Sequence, residues 1–183
     1  KKMNNKLKRL GGLLPQIRDD RDFSLGAIFD LPKLSELPET FEIPPYDILD
    51  QGGNDFCSAA TRAGMKAIAE NEMPFYPAIF AISKEISGDL NEWGATMRDS
   101  FKATTKSVPL AKNAPQTLKN ALQRGDCVYL RDIKNYPQRF INSGVPYRDQ
   151  SFFAVKSPFY DAYDTARAAL WKWRDKKQTI AIG

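Results

Sequence analysis

The chain has 183 residues, a net charge of +5 and no histidine. This length fits one domain, or one domain with two lobes, and the 42% hydrophobic content is ordinary for a globular protein. No apolar run approaches the roughly 18 residues that span a bilayer, so we expect a soluble protein without a membrane partner. No secretory signal is visible, and the first residue is Lys, so the localisation stays unassigned.

Two cysteines, Cys57 and Cys127, do not make a disulfide framework and fit thiols in a reducing compartment. With two cysteines and no histidine, the usual ligand set of a zinc site cannot be built from this chain. We therefore expect neither a metal nor a cofactor.

Basic residues gather at 1–9, "KKMNNKLKR", and at 171–177, "WKWRDKK". Such clusters are compatible with a nucleic-acid surface. The other interpretation is a flexible basic arm over 1–9 and the polar face of one helix. No nucleic-acid motif accompanies the charges, so the second interpretation is favoured and no nucleic-acid partner is expected.

In chain order, residues 10–49 come first and carry five prolines. Each proline removes a backbone donor and fixes φ, which predicts an extended lead-in. A helix of small residues follows from Cys57 to about Asn71. Further helices are predicted over the ranges 77–87, 95–106, 114–125 and 161–177.

Strand signals come late in the chain. Residues 126–133, "DCVYLRDI", look extended, residues 136–151 look rich in loops, and residues 178–183, "QTIAIG", look like the first half of a buried strand. Helices in the middle and few strands indicate an α+β fold whose β part is incomplete.

The stretch "DQGGNDFCSAAT", residues 50–61, carries the chemistry. The first turn of a helix offers free N–H groups and the positive end of the helix dipole, which lower the pKa of a cysteine. Gly52 and Gly53 allow close backbone approach, and the amide of Gln51 is a candidate donor to an oxyanion. The alternative is that Cys57 is a small buried hydrophobic residue.

These residues resemble the papain-like (C1) cysteine peptidases, in which a Gln-Gly precedes the nucleophilic Cys, six positions after the Gln, at the start of a long helix. The segments at 93–109, "WGATMRDSFKATTKSVP", and 166–183, "ARAALWKWRDKKQTIAIG", are similar to family segments of bacterial members, as is the lead-in that precedes residue 50.

The resemblance implies a papain-like fold with a helical lobe around the nucleophile helix and a β-barrel lobe. It divides residues 10–183, a single domain, into a lead-in (10–49), a helical lobe (50–109), a family-divergent insertion (110–158), and a helix with the first barrel strand (159–183).

The resemblance also implies residue roles. Cys57 becomes the nucleophile and Gln51 the oxyanion donor. The substrate-binding candidates are Gly94, Trp93, Gly53 and Phe56. The alternative for Gly94 is a turn glycine.

This sequence departs from the family beside the nucleophile. Asn54 stands where the family often has a disulfide cysteine, Asp55-Phe56 replaces Gly-Ser, and Ser58 replaces an aromatic residue. A carboxylate at Asp55 is unfavourable near a thiolate unless it points away. Cys127 matches no family position and is interpreted as a structural thiol.

A thiol peptidase needs an imidazole to hold the ion pair and to protonate the leaving amine. In the family this histidine follows the cysteine by about 130–150 residues, which places it at about 187–207. We therefore expect that a C-terminal fragment or a second chain completes the fold, and that this chain alone is inactive.

Two hypotheses of function are left open beside nucleic-acid binding. The first is a cysteine peptidase that acts on a peptide or protein substrate. The second is an inactive papain-fold module that binds a partner or joins an assembly.

Overall fold

The computed structural model describes residues 24–42, 46–47, 49–51, 54–152 and 158–176. The predicted basic arm at 1–9 and the predicted strand at 178–183 lie outside these residues. Within the described part, eight helices follow one another. They are α1 (Leu25–Ile28), α2 (Cys57–Glu70), α3 (Tyr76–Ser87), α4 (Met97–Lys106), α5 (Gln116–Gln123), α6 (Cys127–Arg131), α7 (Gln138–Ser143) and α8 (Ala162–Trp173). Short 3-10 turns lie at Leu34–Glu36, Ala111–Asn113, Ile133–Asn135, Val145–Tyr147 and Arg174–Lys176.

Left-handed residues and a capping side chain define the ends of the first long helices. Asn71 closes α2 in the left-handed region at φ 56° and donates its N–H to Ala67 O at 2.9 Å. Gly88 closes α3 in the same way at φ 71°. Thr96 caps α4 by accepting the N–H of Asp99 at 3.0 Å, as a threonine does at a helix start. The predicted helices in this part of the chain are confirmed.

The predicted strand at 126–133 is wrong, because Cys127–Arg131 forms helix α6. Asp126 caps this helix, its Oδ1 accepting the N–H of Tyr129 at 3.0 Å. The 136–151 segment likewise contains α7 and a 3-10 turn. A short apolar run does not distinguish a strand from a buried helix. The feature of the sequence that indicates a helix here is Asp126, an N-cap residue directly before the run.

One hydrophobic core joins α2, α3 and α4 to the helices of the 110–158 segment. Leu118 of α5, Leu130 of α6 and Phe140 of α7 are all buried in the same cluster as Phe80 of α3. The described residues of this segment therefore pack into the same core as the helical lobe.

The described residues contain an antiparallel bridge between Pro74 and Leu110 but no strand of several residues. Two backbone bonds flank this bridge, from Phe75 N to Pro109 O at 2.7 Å and from Ala111 N to Met73 O at 2.8 Å. The helical lobe of the expected α+β fold is present, and the β-barrel lobe is not seen in this part of the chain.

Helix α8 packs on the lead-in. Phe29 and Trp173 meet edge to face with centroids 5.3 Å apart, and Arg167 Nη2 donates to Pro38 O at 3.1 Å. In the basic cluster, the guanidinium carbon of Arg174 lies 3.7 Å from the centroid of the Trp171 ring. This cation therefore packs on an aromatic side chain of the protein itself. None of the helices in the described ranges is long and apolar enough to cross a membrane.

Candidate active site

Cys57 is the first residue of the 14-residue helix α2. The helix starts with the bond from Ala60 N to Phe56 O at 2.8 Å, and the residue before it, Phe56, provides no side-chain cap. The thiol is half-buried. It lies at the positive end of the helix dipole, where a thiolate is favoured.

Cys57 and Gln51 line the same groove, which has a volume of about 470 Å³. The other lining residues come from the lead-in and from one face of α2. They are Tyr46, Asp47, Leu49, Asp50, Ala60, Thr61, Gly64, Met65 and Ile68. The fold thus brings together the two residues that the sequence paired as nucleophile and oxyanion donor.

Local contacts hold the turn that carries Gln51. Asn54 Nδ2 donates to the carbonyl oxygen of Gln51 at 2.7 Å. The side-chain oxygen Oε1 of Gln51 is buried and accepts no hydrogen bond from the described residues. The amide oxygen is therefore turned away from solvent, while the residue as a whole is half-buried and lines the groove.

Phe56 lies in the core rather than in the groove. Its side chain is fully buried and meets the ring of Phe80 at a centroid distance of 4.7 Å. Its ring also lies 5.9 Å from that of Tyr76. The predicted substrate contact does not fit this side chain, which instead anchors the start of α2. Gly53, the other candidate on this turn, lies outside the described residues.

Asp55 connects the start of α2 to Gly94. Its side chain is buried, and Oδ2 accepts the backbone N–H of Gly94 at 3.1 Å. Gly94 has φ 85°, a conformation that favours glycine, and the neighbouring Trp93 is 39% exposed. Gly94 and Trp93 therefore belong to a loop that is attached two residues before the nucleophile.

Ser58, which follows the nucleophile, is buried in a chain of hydroxyl groups. Ser100 Oγ of α4 donates to Ser58 Oγ at 3.1 Å, and Ser83 Oγ of α3 lies 3.5 Å from Ser100 Oγ and donates to Ile79 O at 2.7 Å. Three helices thus meet at polar groups directly behind Cys57, and an aromatic residue at this position would not fit that arrangement.

Cys127 contacts the same turn from α6. Its Sγ donates to Asn54 Oδ1 at 2.7 Å. Burial raises the pKa of this thiol, and the charge of Asp55 raises the pKa further. The group is held as a neutral thiol that links α6 to the turn, which agrees with the structural role expected for it.

Lys84 is the residue near the site that sequence reasoning missed. It is 1% exposed, and its Nζ donates to Glu92 O at 2.6 Å. The available signal was a lysine within the otherwise apolar stretch "YPAIFAISKEIS" of α3. No group of three or more metal-ligating side chains is assembled among the described residues.

No family model matches the sequence, and no curated protein matches it either. Among solved structures, the chain is similar to xylellain, a cysteine protease from Xylella fastidiosa, with a TM-score of 0.65 and 22% identity. The match covers 89% of this chain and 63% of the xylellain chain. The described helices therefore share the fold of part of that protease, and the chain spans less than two thirds of its length.

Proposed function

We propose that this chain is the nucleophile-bearing part of a papain-like cysteine peptidase. The observation that carries the proposal is the placement of Cys57 at the start of α2, in one groove with Gln51. The likeness to xylellain in fold supports it. Membership of the C1 family is part of the same proposal.

In this mechanism the Cys57 sulfur attacks the carbonyl carbon of a peptide bond. The backbone N–H of Cys57 and the amide of Gln51 stabilise the oxyanion that develops. The C–N bond then breaks, the amine leaves with a proton, and water hydrolyses the thioester to release the acid and the thiol. Gly94 and Trp93 are not among the residues that line the groove, but in this proposal their loop, attached to Asp55, forms one side of the substrate site.

The proton of the leaving amine requires an imidazole from outside these 183 residues, because they contain no histidine. We propose that a further segment or a second polypeptide supplies it, and that this chain alone does not cleave peptides.

The test is labelling with a thiol-reactive epoxide peptidase inhibitor, on protein that includes the downstream sequence. We expect one adduct, located at Cys57 by peptide mass spectrometry. Cys57→Ala should lose the adduct, and Cys127→Ala, the matched control, should retain it. Folded protein in which Cys57 stays unmodified contradicts the proposal.

The unusual residues beside the nucleophile, Asp55, Phe56 and Ser58, favour a second candidate, a papain-fold module that binds a partner without cleaving it. Such a module binds peptides when Cys57 is replaced by Ala and shows no hydrolysis when the downstream sequence is present. Hydrolysis by the longer protein, lost in Cys57→Ala, decides for the peptidase.

A further inference from the structure

Two opposite charges are buried beneath the loop that carries Trp93. Asp55 lies two residues before the nucleophile and Lys84 lies in the last turn of α3, and each is 1% exposed. Burying a charge is costly unless the charge is paired or hydrogen-bonded. Both side chains therefore need compensating contacts.

Both charges make these contacts with one short segment. The Nζ of Lys84 donates to Glu92 O at 2.6 Å, and Asp55 Oδ2 accepts the N–H of Gly94 at 3.1 Å. One donor and one acceptor thus hold the backbone on both sides of Trp93. The other oxygen of Asp55, Oδ1, is buried and accepts no hydrogen bond within the described residues, so loss of the Gly94 contact would further reduce the compensation of this carboxylate.

Electrostatics couples the two anchors. Burial lowers the pKa of Lys84, and among the neighbouring charges that oppose this effect Asp55 is the largest, with Asp89 next. Removal of the Asp55 charge therefore removes the largest interaction that keeps Lys84 protonated.

The preceding residues restrict the loop further. Asp89 Oδ1 accepts the N–H groups of Asn91 and Glu92, both at 2.9 Å. Trp93 is held between fixed neighbours while its side chain stays 39% exposed. The loop therefore presents an aromatic ring at the surface from a backbone that internal bonds define.

We propose that Asp55 and Lys84 are positioning residues that fix the Glu92–Gly94 segment relative to Cys57, so that a bound peptide meets the thiol in one register. The inference rests on the proposed function, since it concerns the substrate of the same site. Asp55 departs from the family pattern, and this role accounts for the direction of its carboxylate, which points into the protein interior.

The first measurement is hydrogen exchange of the Gly94 amide in the 183-residue chain, relative to the buried Ala81 amide of α3. Asp55→Ala removes the acceptor, and we expect exchange at Gly94 to accelerate about tenfold, the size of one hydrogen bond. Asp55→Asn keeps an oxygen acceptor and should recover part of the protection. Unchanged protection in Asp55→Ala overturns the proposal.

The second measurement separates positioning from folding. Cys57 is alkylated by a peptidyl chloromethyl ketone and, separately, by iodoacetamide; in both reactions the thiolate displaces halide, so the chain can be used without histidine. We expect Asp55→Ala to lower the ratio of the two rate constants about tenfold. Asp161→Ala, the matched control, removes a carboxylate that caps α8 and should leave the ratio unchanged.

The outcomes distinguish the inference from the proposed function. If wild-type Cys57 reacts with the peptidyl reagent and Asp55→Ala keeps the ratio, only the positioning role is overturned. If wild-type Cys57 reacts with iodoacetamide but shows no preference for the peptidyl reagent, either in this chain or in protein that includes the downstream sequence, both proposals fail. If Asp55→Ala does not fold, Lys84→Met, which keeps the apolar stem and removes the donor to Glu92, is read by the same two measurements.

Discussion

The two faces of helix α2 differ in their side chains and in what they contact. The face with Cys57, Thr61 and Gly64 borders an open groove, with small side chains next to the thiol and the larger Met65 and Ile68 further along the helix. The opposite face carries Arg62 and Lys66, long cations that are nonetheless buried. The difference shows that one helix serves two purposes: charged contacts fix its position on one side, and small residues leave room beside the thiol on the other.

The packed face is organised around Asp149, 87 residues after Arg62. Asp149 pairs with Nη2 of Arg62, and its Oδ1 lies 3.2 Å from Lys66 Nζ. Thr104 Oγ1 of α4 donates to Asp149 Oδ2 at 2.5 Å and accepts from Arg62 Nε at 3.1 Å. One carboxylate therefore connects α2, α4 and the end of the 110–158 segment.

The largest expected effect comes from breaking this network. Asp149→Ala leaves the buried Arg62 without its carboxylate and leaves Lys66 paired only with Glu70, and we expect the free energy of unfolding to fall by about 3–5 kcal/mol. Equilibrium unfolding in urea measures the change. The control is Glu72→Ala, which removes an exposed pair with Lys112 and should cost less than about 1 kcal/mol. Equal losses in the two variants would show that the packed face does not depend on Asp149.

The groove face of α2 can be predicted from the sequence, whereas the contacts of the packed face cannot. Spacing and stop signals placed α2 between Cys57 and Asn71, because both are local features of the chain. The Gln51–Cys57 pairing was also available, since six residues separate its members. The role of Asp149 was not, because its partners lie far away in sequence, and no periodic pattern records a contact between distant segments.

The same distinction explains the errors. The family resemblance implies a substrate contact for Phe56, but the helix start places its ring in the core against Phe80. The sequence does not predict the role of Lys84, because a single lysine in a helix most often extends into solvent. Its partners, Glu92 and Asp55, become visible only when α3 is packed against the start of α2.

A pH titration tests the hydrophobic core in which helix α2 and Tyr136 are both buried. Burial raises the pKa of Tyr136 well above its ordinary value of 10.0, and its hydroxyl donates to Leu130 O at 2.6 Å. Above pH 10 the unfolded chain releases this phenol proton while the folded protein retains it. Between pH 10 and the raised pKa of Tyr136, the free energy of unfolding should therefore fall by about 1.4 kcal/mol per pH unit through this group.

Tyr136→Phe tests the assignment of this slope. It should cost about 1 kcal/mol at neutral pH, through the lost hydrogen bond, and reduce the alkaline slope by the contribution of this phenol. Tyr76 and Cys127, whose pKa values burial also raises, should leave a residual slope. The exposed Tyr163 provides the control, and a slope that Tyr163→Phe reduces as much as Tyr136→Phe would contradict the assignment.

The smallest expected effect lies on the groove face. A Cβ at Gly64, in the interior of α2, meets no atom within 4 Å, so Gly64→Ala should stabilise the protein by about 0.5–1 kcal/mol through helix propensity alone. Gly144→Ala is the opposite control, since its Cβ would lie 2.3 Å from Pro109 N, and overpacking of this kind costs about 1–3 kcal/mol. Thermal unfolding of both variants checks the signs. Destabilisation by Gly64→Ala would mean that the groove face is filled in solution, and the openness beside Cys57 would then no longer distinguish the two faces of α2.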